Sequence, residues 1–238
     1  MRNDGRVLSQ LREIRFEKDF VKNSLGSVLS VCGNTEVICT VNITDTVPGW
    51  MKAQGVEGGW LTAEYAMLPG ATLPRGRREN QKGPGGRSSE IQRLIGRSLR
   101  AAVDLKKLGS RTIQIDCDVL NADGGTRCAS INGAMAALIV ALEKLKARGV
   151  LNDEVIKQSV AAISVGIVNG EPMLDLCYEE DSAADVDMNV VMTVAGDFVE
   201  VQGTGEDAVF SRAELNAILD LATPAIREIG LRQEALKA

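Results

Sequence analysis

Histidine is absent from the 238 residues of this chain. Its absence removes the Ser-His-Asp and Cys-His nucleophile systems, every His-bearing zinc site and any imidazole pH switch. A metal could be held only by oxygen or sulfur. Aromatic residues make up just 3%, and Trp50, Trp60 and Tyr65 are too few to suggest a base-stacking platform. The five cysteines include no CxxC pair. Cys39, Cys117 and Cys177 lie in apolar runs, which predicts buried free thiols in a reducing compartment. No apolar run approaches the roughly 20 residues of a membrane span. The longest, Gly133 to Leu142, belongs to an amphipathic helical pattern. The polar start MRNDGRVLSQLRE has no signal-peptide core. These absences lead to the expectation of a soluble, cytoplasmic protein with no membrane contact.

What is present is ordinary globular material, 45% hydrophobic and 25% charged. The β-branched runs around Gly33-Asn34, spanning Gly26 to Ile43, read as a hairpin. Residues 44–88 read as a long loop holding four of the six prolines, three of them, Pro69, Pro74 and Pro84, among Gly and Arg. The capping-box spacing Ser89-Glu-Ile-Gln92 predicts a helix through Val103, followed by a strand over Arg111–Val119 and a helix over Ala129–Arg148. Two more hairpins follow, Ile163–Val168 with Met173–Tyr178 and Val186–Val194 with Phe198–Gln202. A second capping box, Ser211–Glu214, opens a helix to about Ala235. The mixture predicts an α+β fold of mixed sheets with long helices, with a hint of an internal pseudo-repeat and no linker.

Charge is unevenly placed. Residues 75–100 carry Arg75, Arg77, Arg78, Lys82, Arg87, Arg93, Arg97 and Arg100 against Glu79 and Glu90, a local +6 in a chain of net −5. This is either a polyanion contact or a solvated helix face. Conversely, Asp175, Glu179, Glu180, Asp181, Asp185 and Asp187 fall within thirteen residues without a basic one. Such a run is either an acidic surface loop or a set of carboxylates facing arginines or a divalent cation. Oxygen-only ligands would suit Mg²⁺. A third feature, Asp123-Gly-Gly-Thr-Arg-Cys-Ala-Ser130, sits between a strand and a helix. Its glycines, the free N–H groups of the helix, Thr126 and Arg127 make a plausible orthophosphate cradle. It is not a GxxxxGK[ST] loop, which disfavours an ATPase. Lys82-Gly-Pro-Gly-Gly-Arg-Ser-Ser89 is a second Gly-rich, Arg-bearing helix start.

Four segments in order, Gly86–Ala101, Asp116–Arg127, Tyr178–Asn189 and Glu200–Thr204, closely resemble the RNase PH family of phosphorolytic 3′-to-5′ exoribonucleases. The resemblance extends over essentially the whole chain. It implies a ribosomal protein S5 domain 2-like fold, one catalytic domain over residues 1–238, and a homohexameric ring built as a trimer of dimers. It further implies trimming of tRNA precursors and other RNA 3′ ends, with inorganic phosphate as co-substrate and nucleoside 5′-diphosphates as products. By position, Arg87, Gly125, Thr126 and Arg127 match the family's phosphate-binding residues. Asp181 and Asp187 match its catalytic acidic pair, thought to hold Mg²⁺. Arg75 and Arg78 match its RNA-contacting basic loop, and Arg93 and Arg97 extend that basic surface along the helix. The chain departs from the family at Gly70, where arginine is common, and at Leu73-Pro74. Two alternatives stand beside this reading: a non-catalytic RNA-binding subunit of an exosome-like ring, and a small-molecule phosphorylase, which would leave the basic loop unexplained.

Overall fold

Strand pairing begins at the N-terminal side with β1 (Ile14–Lys18), β2 (Gly26–Cys32) and β3 (Thr35–Thr44), joined in antiparallel register, with the Gly33 turn at φ 56°. The computed structural model describes residues 2–79, 83–151, 154–205 and 209–237. Lys82 of the basic cluster lies outside the described residues.

The segment expected to be loop contains regular structure: α1 (Gly49–Gln54) and β4 (Trp60–Met67). In β4, Leu61, Ala63 and Tyr65 point inward while Thr62 and Glu64 point out, the period-two pattern of a half-buried strand. Helix α2 (Gly86–Ala102) begins three residues before the expected Ser89. The Ser89 box does not form; the Ser89 hydroxyl donates to the Pro84 carbonyl instead. After α3 (Leu105–Leu108) comes β5 (Thr112–Asn121), parallel to β4 and antiparallel to β3. The first sheet is thus ordered β1-β2-β3-β5-β4.

Helix α4 (Thr126–Ala147) corrects the amphipathic expectation, because it is buried on every side. Asn132 closes two hydrogen bonds with the Ala162 backbone on one side, while a Cβ at the adjacent Gly133 would strike Cys39 Sγ and Ser30 of the first sheet at 2.6 Å. Among the described residues α4 is the one helix long and apolar enough to cross a membrane, yet 89% of that window is buried inside the fold.

The second sheet, β7-β6-β8-β9, is built from β6 (Val160–Val168), β7 (Glu171–Leu174), β8 (Val186–Thr193) and β9 (Phe198–Gly205), all antiparallel. The strand expected over Met173–Tyr178 stops at Leu174, because Asp175 is left-handed (φ 54°) and residues 178–182 turn into α5 (Tyr178–Ser182). Every residue of β6 is buried. Helix α6 (Arg212–Glu234), opened by the predicted Ser211–Glu214 capping box, covers this sheet with Ile218, Ala222, Ile226 and Ile229. The larger core joins the first sheet to α2 and α4. All five cysteines are free; Cys39 and Cys117 are buried as expected, but Cys177 is half-exposed at the start of α5.

Candidate functional site

Two long helices open on glycine rather than on a capping side chain, and each carries an arginine at its second position. Gly85 precedes α2 and Arg87 follows; Gly125 (φ 66°) precedes α4 and Arg127 follows. The first N–H groups of both helices therefore have no side-chain acceptor, which favours a bound anion. Tyr65 lies between these two helix starts. Its buried hydroxyl is 3.1 Å from Thr126 Oγ1, and its carbonyl lies 3.5 Å from Gln92 of α2. Burial raises the Tyr65 pKa, while the hydrogen bond with Thr126 and the charges of Arg87 and Arg127 pull in the other direction.

Arg127 Nη2 meets Glu90 Oε2 at 3.0 Å, and Glu90 Oε1 accepts from Gln202 Nε2 of β9 at 3.4 Å. Arg127 Nε is buried without an acceptor among the described residues. An orphaned buried N–H on an arginine is costly unless a ligand completes it.

The acidic run does not act as one cluster. Asp175 and Glu180 turn inward onto arginines that sequence reasoning overlooked. Arg2 holds Glu180 through Nε and Nη2 (2.7 and 2.6 Å), and Arg12 holds Asp175 through Nη2 and Nε (2.7 and 3.1 Å). Arg6 adds a contact to Asp175 at 3.4 Å. Burial raises the pKa of Asp175, but hydrogen bonds and charge from Arg12 outweigh it and hold the carboxyl below its ordinary value. The same balance, with Arg2, lowers Glu180. No sequence signal marks these partners.

The arginine network reaches the glycine loop before α4. Arg12 Nη1 donates to the Asp123 carbonyl at 2.6 Å, and Asp123 Oδ1 accepts from Tyr178 N at 3.2 Å. Gly124 packs so closely on the 176–178 backbone that a Cβ would lie 2.6 Å from the Cys177 carbonyl carbon. The loop is thereby tied to α5, which carries Asp181.

Asp187 stands on β8 opposite Gly166 and Thr204. It shares a strand face with Asn189, whose Oδ1 accepts from Cys128 Sγ (3.2 Å) in the first turn of α4. Burial pushes the Cys128 thiol up, with Asp187 among the charges that add to the shift. Asp187 thus stands two residues along β8 from the side chain that contacts the first turn of α4. Asp181 and Asp187 are both half-buried, and no group of three or more metal-ligating side chains occurs among the described residues. Two carboxylates fit a hard cation that completes its shell with water and phosphate oxygens, the usual habit of Mg²⁺.

The basic residues divide. Arg75 and Arg78 are exposed on the segment after β4, where Arg77, Arg78, Glu79 and Asp118 border a cavity of about 310 Å³. Arg93 is exposed on α2. Arg97 is committed to Glu200 of β9 at 2.7 and 3.0 Å. Tyr65 is buried and cannot stack a base.

Comparison with known proteins follows the same lines. Models of the 3′ exoribonuclease family match here, domain 1 over residues 10–142 and domain 2 over residues 158–225. Ribonuclease PH of Corynebacterium efficiens is 55% identical over 235 residues, 98% of this chain and 95% of that relative. Ribonuclease PH of Bacillus pumilus is 55% identical over 238 residues, covering 99% and 98%. Among solved structures, rice Rrp46 superposes with TM-score 0.80 at 20% identity over all of both chains. An RNA-bound exosome chain of Archaeoglobus fulgidus gives 0.79 at 22% identity, covering 98% of this chain and 92% of that one. These two likenesses concern the fold alone.

Proposed function

This chain belongs to the RNase PH family of 3′ exoribonucleases, and from that membership we infer that it is a phosphorolytic exoribonuclease acting on tRNA. We propose how its residues divide the work.

Phosphorolysis sets one anion against another, so the site must first cancel their repulsion. Arg87, Arg127, the Thr126 hydroxyl and the Gly125-capped amides of α4 bind orthophosphate, and the orphaned Arg127 Nε supports this assignment most directly. A phosphate oxygen then attacks the terminal phosphodiester phosphorus. The bond from phosphorus to the 3′ oxygen of the preceding nucleotide breaks, that oxygen takes up a proton, and a nucleoside 5′-diphosphate leaves. Asp181 and Asp187 are the residues that would hold Mg²⁺, which when bound neutralises charge on the departing oxygen. Holding nucleophile and phosphodiester in line supplies much of the rate. Arg75, Arg78 and Arg93 attract the RNA backbone, with Arg97 contributing if its pair with Glu200 opens.

The non-catalytic alternative loses ground, because the relatives named ribonuclease PH cover nearly the whole chain and Arg87, Arg127, Asp181 and Asp187 are all present. We also propose cytoplasmic action on tRNA precursors and assembly as a homohexamer. Light scattering reads its mass. The test of function is incubation with a 3′-extended tRNA and Mg²⁺, with and without phosphate. Diphosphates that form only with phosphate are expected; monophosphates formed regardless would mean hydrolysis.

A further inference from the structure

The chain's two tryptophans, Trp50 and Trp60, ten residues apart in sequence, meet in space at the end of α2 away from Arg87. Their rings are 5.2 Å apart at 89°, and Trp50 remains 45% exposed. The Arg100 guanidinium lies 4.9 Å over Trp60 and donates to the Leu61 carbonyl at 2.9 Å. Gly59 N bonds to the Leu105 carbonyl, which brings α3 and its exposed Lys106 and Lys107 to the same place. Lys157 arrives through its backbone bond to Ala102 at the end of α2. None of Arg100, Lys106, Lys107 or Lys157 makes an ion pair among the described residues. The acids nearby are few. Asp104 accepts from the Lys106 and Lys107 backbone and its charge also faces Lys107 and Lys157, Asp45 pairs with Arg111, and Glu57 is exposed.

We propose that this end of α2 is a second RNA-contact surface: Trp50 stacks an unpaired base upstream of the 3′ end, while Arg100, Lys106, Lys107 and Lys157 meet neighbouring phosphates. An exposed indole on a face where cations outnumber acids suits a single strand, whose bases each offer a π-face and whose backbone is anionic. A second copy of the chain fits poorly, since a like-charged patch would face itself. Arg100 lies thirteen positions after Arg87, about 20 Å along α2. Only RNA long enough to span that distance engages both ends. The proposal rests on the chain's acting on RNA 3′ ends.

Because both tryptophans of the chain sit here, their fluorescence reports this surface alone. Without phosphate and Mg²⁺, titration with a long oligoadenylate should quench it, and an oligoadenylate too short to reach from Arg87 should not. Trp50→Ala should raise KM for the long RNA about tenfold with kcat unchanged, and leave the short RNA unaffected. Lys106→Glu with Lys107→Glu, both on the surface, should act in the same direction. Absence of quenching together with unchanged KM in both variants overturns the proposal. So does a fluorescence change that follows protein concentration without RNA, which would assign the patch to contact between copies. Quenching by long RNA in a protein that releases no diphosphate would uphold the surface and sink the catalytic reading instead.

Discussion

Arg12 and Asp175 lie 163 residues apart in sequence and meet through three hydrogen bonds, two from the guanidinium and one from the Arg12 backbone N–H at 2.7 Å. The same guanidinium holds the Asp123 carbonyl. One buried side chain thus locks the N-terminal segment, the glycine loop before α4 and the turn before α5 together.

Asp175→Asn keeps the shape and removes the charge, leaving Arg12 buried without its counter-ion. The expected loss is about 3–5 kcal/mol, read as a lowered urea midpoint with an unchanged slope.

Acid should expose the same network. Asp175 and Glu180 have folded pKa values below their ordinary ones. Their contribution is therefore complete above the unfolded pKa and is lost as pH falls through the lower folded values. Stability should be level above about pH 5 and decline below about pH 4. In Asp175→Asn the acid-side decline should be shallower, which a denaturation series across pH would measure.

Gly124→Ala tests the bond between loop and acid segment. Gly124 has φ 73°, and the new Cβ would meet backbone atoms at 2.6–2.8 Å. The left-handed geometry alone costs about 1–2 kcal/mol, and the collision has no flexible side chain to absorb it. We expect lowered thermal stability together with a raised KM for phosphate. A variant with normal values of both would mean the loop is not fixed by this contact.

Asn132 joins α4 to the second sheet while Gly133 abuts the first. We propose one folding unit over the whole chain, which predicts a single transition by calorimetry and by circular dichroism. Asn132→Leu, which strands the Ala162 N–H and carbonyl, should cost about 2–4 kcal/mol without splitting that transition.

Local signals were legible where neighbours in sequence decide the structure. Ser211 with Glu214 opens α6, Gly33-Asn34 turns β2 into β3, and Gly125-Thr126-Arg127 begins a helix after a strand. Long-range choices were hidden. Ser89 carries a valid capping pattern, but Gly85 and Arg87 start the helix one turn earlier. β4 pairs with a strand some fifty residues later, and its alternation relies on small Ala63, so Pro and Gly on either side made it look like loop. α4 seemed one-sided because no sequence window shows that it will be enclosed by two sheets. The acidic run looked uniform because Arg2, Arg6 and Arg12, which draw in two of its members, lie at the other end of the chain. Motifs suggest the residues proposed here for phosphate and metal; the arginines that fix the loops around them carry no motif.

The central claim is that Arg127 binds the attacking phosphate, and the most direct measurement is phosphate-dependent diphosphate release from a 3′-extended tRNA by Arg127→Ala, with phosphate titrated. Loss of about 3 kcal/mol of transition-state stabilisation, roughly 100-fold or more in kcat/KM for phosphate, is the predicted result. Near-normal turnover with an unchanged KM for phosphate would contradict it.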